Sequence, residues 1–156
     1  MAIAHAVAGP VIVTYNTVPL GYSRDGVSIR IEPKWGDIFS DDYGGQGGAP
    51  ADTQLLGAVC IVTAEMPKYD AAECNKLTSF EKAGTAGTLP QFGTLIRQES
   101  EYATLLLNGK NEDWTFTIAF MRQAQEVNKG TKYSTFVAGW ECWVSDAAAR
   151  VLFTIA

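Results

Sequence analysis

Residues 31–59, IEPKWGDIFSDDYGGQGGAPADTQLLGAV, separate two segments of strand-like pattern and hold Gly44, Gly45, Gly47 and Gly48 around a single Gln46. In a compact domain, connections longer than about 12–15 residues are functional loops, disordered linkers, or arms that order against a partner. Pro33 ends the strand before it or marks a sheet edge, so residues 33–57 are expected to form a long inter-strand loop. Trp35, Ile38, Phe39 and Tyr43 make that loop apolar, which would be an aggregation hazard on a solitary chain. A partner surface removes the hazard. GGQGG lacks the Gly-Lys-Ser/Thr end of a P-loop and does not lead directly into a helix, so its glycines read as flexibility rather than a phosphate cradle.

Before this stretch, VIVTYNTVPLG (residues 11–21) is rich in β-branched and aromatic residues, and YSRDG supplies an Asp-Gly turn. A hairpin into VSIRIEP follows, with Val27, Ile29 and Ile31 on one face. After it, residues 58–62 are apolar on both faces, as expected of a central strand covered on both sides. PKYDAAECNKLTSFEKAG (residues 67–84) is the one convincing helix. Pro67 suits its first turn, Asp70 and Glu73 resemble a capping box, Cys74, Leu77, Phe80 and Ala71 form an apolar stripe, and Gly84 suits the position after its end.

TLIRQE (94–99) and YATLLLNG (102–109) read as short strands, and NGKNED as a turn. In DWTFTIAFMRQ, Trp114, Phe116, Ile118 and Phe120 share a face. In YSTFVAGWECWVSD, Phe136, Ala138, Trp140, Cys142 and Val144 oppose Val137, Glu141 and Trp143. RVLFTIA closes the chain as a final strand. The expected fold is mainly β, a sandwich or barrel with one α-helix and a long inter-strand loop, in one domain spanning residues 1–156 with an N-terminal arm at 1–10.

The 156 residues suffice for one core, and 47% hydrophobic with 19% charged residues describes a folded chain. A net charge of −5 argues against a phosphate-gripping surface, which needs clustered Lys and Arg. Cys60, Cys74 and Cys142 have no metal-ligand spacing and read as reduced, buried thiols. MAIAHAVAGPVIV shows no basic leader ahead of a long apolar core, and no stretch reaches a membrane span's length, so folding in the cytosol is expected.

Enzyme chemistry finds little support. His5 is the one histidine and lies in the N-terminal arm, a poor place for a catalytic base. Asp37, Asp41 and Asp42 lack calcium-loop spacing and read as a solvated acidic loop. No catalytic residue, cofactor or metal is expected. Trp114 and Trp140 read as core, leaving Trp35 and Trp143 for recognition. A ligand-binding β-barrel walled by Trp35, Tyr43 and Trp143 is a reading from another class.

The order of elements resembles the tail tube (major tail) proteins of long-tailed bacteriophages. PLGYSRDGVSIRI is similar to the family's early hairpin, KWGDIFSDDYGGQGGAPADTQLLG to its long loop, GAVCIVTAEMPKYDAAECNKL to its strand leading into a single helix, and YSTFVAGWECWVSDAAARVLFTI to its last hairpin, with Asp146 opening the final connection. The resemblance implies a non-enzymatic virion protein, folded in the host cytoplasm and located in the tail. Its copies would form stacked homo-oligomeric rings, hexameric in kind. Partners would be terminator, tape measure and baseplate or tip proteins, with DNA in transient passage and no membrane. The interface candidates are Trp35, Asp37, Ile38, Phe39, Tyr43, Gly44, Gly45, Gly47, Gly48, Leu55 and Leu56. Tail terminators and head-tail joining proteins share the fold, and these or a capsid decoration protein are the alternative structural roles.

Overall fold

A computed structural model describes residues 9–23, 26–110, 112–130 and 134–156. His5 and most of the 1–10 arm lie outside the described residues. The chain is mainly β, as its alternating segments predict. In order it forms β1 (Val11–Tyr15), β2 (Val18–Ser23), β3 (Val27–Ile38), β4 (Asp52–Met66), β5 (Lys68–Tyr69), α1 (Ala71–Asn75), β6 (Ala103–Asn108), β7 (Asp113–Phe120), β8 (Glu126–Asn128), β9 (Thr135–Trp143) and β10 (Thr154–Ile155).

One antiparallel sheet runs β3-β4-β9-β7-β6-β1-β2-β5, with β10 beside β7 and β8 beside β9. The sheet curls until β2 approaches β4 and β5 approaches β9. Tyr15 then reaches Trp140 with ring centroids 5.8 Å apart, and Tyr69 reaches Phe136 at 5.7 Å. The ends stay unpaired with one another, so it is not a closed barrel. The core is the inner face of this curl, from Val13, Tyr15, Val62, Leu105, Phe116, Phe136 and Trp140 among others.

Several differences from the sequence expectations have local causes. Residues 11–21 are two strands, because Asn16 and Thr17 both adopt positive φ (52° and 65°), the backbone of a type I′ hairpin turn. Hydrogen bonds from Asn16 to the Thr104 and Lys82 carbonyls hold the turn. The Asp-Gly turn does not make a hairpin with VSIRIEP: β2 pairs with β1 and β5, while β3 crosses to β4. Asp25 itself lies outside the described residues.

The helix is shorter than residues 67–84. Pro67 precedes β5, whose residues pair with β2. Asp70 caps α1 by accepting from the Ala72 and Glu73 amides; its own amide donates to the Leu20 carbonyl, so the box is not reciprocal. After one short 3-10 stretch, Lys76–Ser79, the left-handed φ of Phe80 ends the element well before Gly84. Cys74 and Leu77 are buried as expected, while Ala71 and Phe80 are exposed.

TLIRQE is a single helical turn rather than a strand. The Glu99 carboxylate accepts from the Leu95 amide, Ser100 takes φ 55°, and the Glu101 and Ser100 amides close back on the Ile96 and Arg97 carbonyls, a Schellman ending. RVLFTIA contributes only β10, and that strand pairs with β7, so no final hairpin with β9 forms. Asp146 does open the connection, accepting from the Ala148 and Ala149 amides.

β7 changes sides part-way along. Ala103 pairs with Ala119 but Leu105 with Phe116, so β7 carries one extra residue there, and a bulge reverses the alternation. Trp114 and Phe116 belong to the inner core, whereas Ile118 and Phe120, expected on the same face, turn outward and Ala119 turns in. On the outer face Phe120 meets Trp143 edge-on at 4.5 Å. Residues 80–102 cover this second layer, with the Arg97 guanidinium 5.2 Å above the Trp143 ring and bonded to the Val144 carbonyl at 2.7 Å. Glu141, 6% exposed, accepts there from Arg122 and from the Trp143 indole, both at 3.0 Å.

Candidate functional site

The segment expected to be a loop is mostly paired strand. β3 and β4 run on together as far as the Ile38–Asp52 pair, and the connection proper is residues 39–51. Pro33 does not end β3; its missing amide is tolerated because β3 is the edge strand of the sheet. β4 is interior, between β3 and β9, but only one of its faces is covered. Cys60, Val62, Ala64 and Met66 are buried and Thr63 and Glu65 exposed.

Beyond the Ile31–Cys60 pair this two-stranded arm leaves the body. On its inner face, Val27 and Ile29 pack against the core, and Ile31, Pro33 and Trp35 continue the same period-two row. Between the Lys34–Gly57 and Trp35–Leu55 pairs β4 carries one extra residue, Leu56. Leu55 therefore joins Trp35 on the inner face, each 58% exposed. Leu56 lies on the opposite face over Gly36, where a Cβ would stand 3.2 Å from its methyl carbon. Ile38 shares that outer row. The core-facing side of the sheet thus extends into open space as an apolar strip with nothing over it among the described residues.

At the tip, GGQGG is built into short turns rather than left slack. Ser40 accepts from the Tyr43 and Gly45 amides through its carbonyl and from Asp42 through its hydroxyl, and the Ala51 amide closes on the Ile38 carbonyl at 2.7 Å. Gly44 links two 3-10 turns at φ 93°, and a Cβ on Gly48 would run into the Tyr43 carbonyl, so both positions require glycine. Gly45 also has positive φ; Gly47 does not. Asp37 accepts from the Thr53 hydroxyl across the hairpin at 2.8 Å. Phe39 and Tyr43 stand exposed beside Asp41 and Asp42.

The arm gathers all eleven interface candidates. It does not gather the walls expected of a ligand barrel: Trp35 and Tyr43 are out on the arm, and Trp143 is under Arg97. A cavity of about 340 Å³ lies elsewhere, lined by Phe80, Pro90, Phe92, Ile96, Phe120 and Met121 among others. Phe92, at its rim, is 86% exposed; sequence reading missed this surface because residues 85–93 carry no periodic pattern. Among the described residues no cluster of three or more His, Cys, Asp or Glu could hold a metal, and no helix is long and apolar enough to cross a membrane.

The thiols are buried and free. Burial pushes Cys60 up to about 11. Burial, then Asp70 and Glu73, pushes Cys74 up to about 12. Burial, then Cys60 and Glu141, raises Cys142 further. All three are therefore almost wholly protonated at neutral pH and slow as nucleophiles.

No family model matches the chain, and no curated protein matches it. A solved structure described as the virion of a native gene transfer agent (GTA) particle contains a chain similar to this one at 10% identity and a TM-score of 0.48, over 85% of this chain and 89% of that chain.

Proposed function

We propose that this chain is a virion structural protein whose copies form rings that stack into the tube of a phage-type tail. The observation that carries the reading is the uncovered inner face of the arm, where Ile31, Trp35 and Leu55 continue the core row out of the body. A folded chain buries such a strip against something, and a stiff hairpin pointing away from its own core finds its cover on another molecule. Contact between an arm on one copy and a different surface on the next is head-to-tail, so it propagates along a stack. The long edge of β3 adds a second surface suited to pairing within a ring, where closure removes the exposed edge. A net charge of −5 keeps contacts with passing DNA weak. Six copies per ring, and terminator, tape measure and baseplate partners, follow from the family resemblance in the sequence.

Negative-stain microscopy of the purified chain tests the reading. Long filaments of even diameter are expected. Isolated single rings would favour a terminator or joining protein, and a monomer at every concentration would overturn self-assembly.

A further inference from the structure

Cys60 and Cys142 stand directly opposite each other on β4 and β9, and both are fully buried on the same face. Directly opposed residues of an antiparallel ladder have Cα atoms about 4.5–5.5 Å apart, inside the span of about 4.4–6.8 Å that a disulfide bridges. Their place in the ladder matters as much as their spacing. The β4–β9 pairing runs from Met66–Phe136 to Cys60–Cys142 and stops there, at the level where the arm leaves the body. End pairs of a ladder open at lower free energy than interior ones, and the next residues of β4 outward, Val59 and Ala58, are only half-buried. The third thiol is placed differently: Cys74 is on α1, with its Sγ 3.5 Å from the Leu20 carbonyl.

From this juxtaposition we infer that Cys60 and Cys142 are a redox modification site, closing to a cross-strand disulfide at the root of the arm when the folded chain meets a small-molecule disulfide. In the first step the Cys60 thiolate attacks one sulfur of glutathione disulfide, forming a mixed disulfide and releasing one glutathione thiolate, which takes up a proton. The Cys142 thiolate then attacks the Cys60 sulfur, the Sγ–Sγ bond forms, and the second glutathione leaves as its thiol. The protein loses two electrons and two protons; one oxidant disulfide becomes two thiols. Burial and the raised thiol pKa values make the exchange slow at neutral pH, and the product joins the strand that bears the arm to the interior of the sheet.

Incubating the folded, reduced protein with excess oxidised glutathione, then quenching in acid, denaturing, alkylating and mapping peptides, tests it. The expected product is lighter by two hydrogens, contains a linked peptide pair carrying Cys60 and Cys142, leaves Cys74 alkylated, and reverts with dithiothreitol. Three alkylated thiols after exhaustive incubation, a lasting glutathione adduct on either residue, a link to Cys74 or to a second chain, or a Cys60–Cys142 link that forms only in denaturant would each overturn the inference.

Discussion

Leu55 stands opposite Trp35 in the arm because Leu56 is the extra residue between two ladder pairs. Adjacent strand residues face opposite sides, and the bulge decides that Leu55 joins the strip that continues the core while Leu56 lies over Gly36. Replacing Trp35 and Leu55 together by serine removes apolar surface that nothing among the described residues covers. Domain stability should stay within about 0.5 kcal/mol of the parent, while the filaments expected of the parent should not form. Filaments that persist with both serines would show that the strip is not the adhesive surface.

Replacing residues 34–57 by Asn-Gly joins the Pro33–Ala58 pair through a two-residue hairpin turn. The shortened chain is expected to unfold in one cooperative transition by circular dichroism and to remain monomeric in sedimentation. Loss of cooperative unfolding would mean that the arm belongs to the body after all.

On the outer face, Arg122→Ala strips Glu141 of its ion-pair partner at 3.0 Å while leaving the carboxylate almost buried. Arg122 is itself largely exposed, so the expected loss is about 1–2 kcal/mol rather than the larger figure for a fully buried pair. Urea titration measures it. Mutating both residues to apolar ones should recover part of the loss.

Trp140 is fully buried and its indole N–H has no acceptor among the described residues. Trp140→Phe removes an unsatisfied donor, worth about 1–3 kcal/mol, against a comparable penalty for the smaller ring, and the net change should fall within about 1.5 kcal/mol. Phe136→Ala, which relieves no such donor, should lose about 3–5 kcal/mol. Equal losses from the two would remove the orphan donor as a factor.

Alkaline pH should unfold the protein early. The thiols of Cys60, Cys74 and Cys142 and the Tyr15 phenol are all raised, chiefly by burial. Above the ordinary thiol range the unfolded chain has released protons that the native chain retains, so stability falls as pH rises. The contribution is complete below about pH 8.5–9 and is lost through about 11 and 12, where Cys60 and Cys74 titrate in the fold. Each thiol adds a slope of about 1.4 kcal/mol per pH unit. Urea midpoints that stay flat from pH 8 to 10.5 would contradict this.

How far the sequence could be read follows from which residues had a single role. β9 was legible because Phe136, Ala138, Trp140 and Cys142 all face one core, and every one is buried. β7 read as cleanly but serves two layers, and a bulge leaves no mark in the order of apolar residues. The arm was located but mistaken for a loop, because Pro33, Gly36 and Gly57 lower strand propensity and no burial pattern compensates; only the pairing of β3 with β4 makes it extended. Asn16–Thr17 lacked the usual glycine of its turn type, and contacts from Thr104 and Lys82 supply what the dipeptide does not.

A paired ribbon also fixes a distance. From the Ile31–Cys60 level to the Ile38–Asp52 level the arm climbs seven residue steps, about 24 Å at the rise of a strand. A slack tether would present Tyr43 and Phe39 over a range of separations, whereas this one works as a ruler. If copies stack through the tip as proposed, their repeat is the interval the ruler sets, and lengthening the ribbon by two residues per strand should move that interval by about 7 Å.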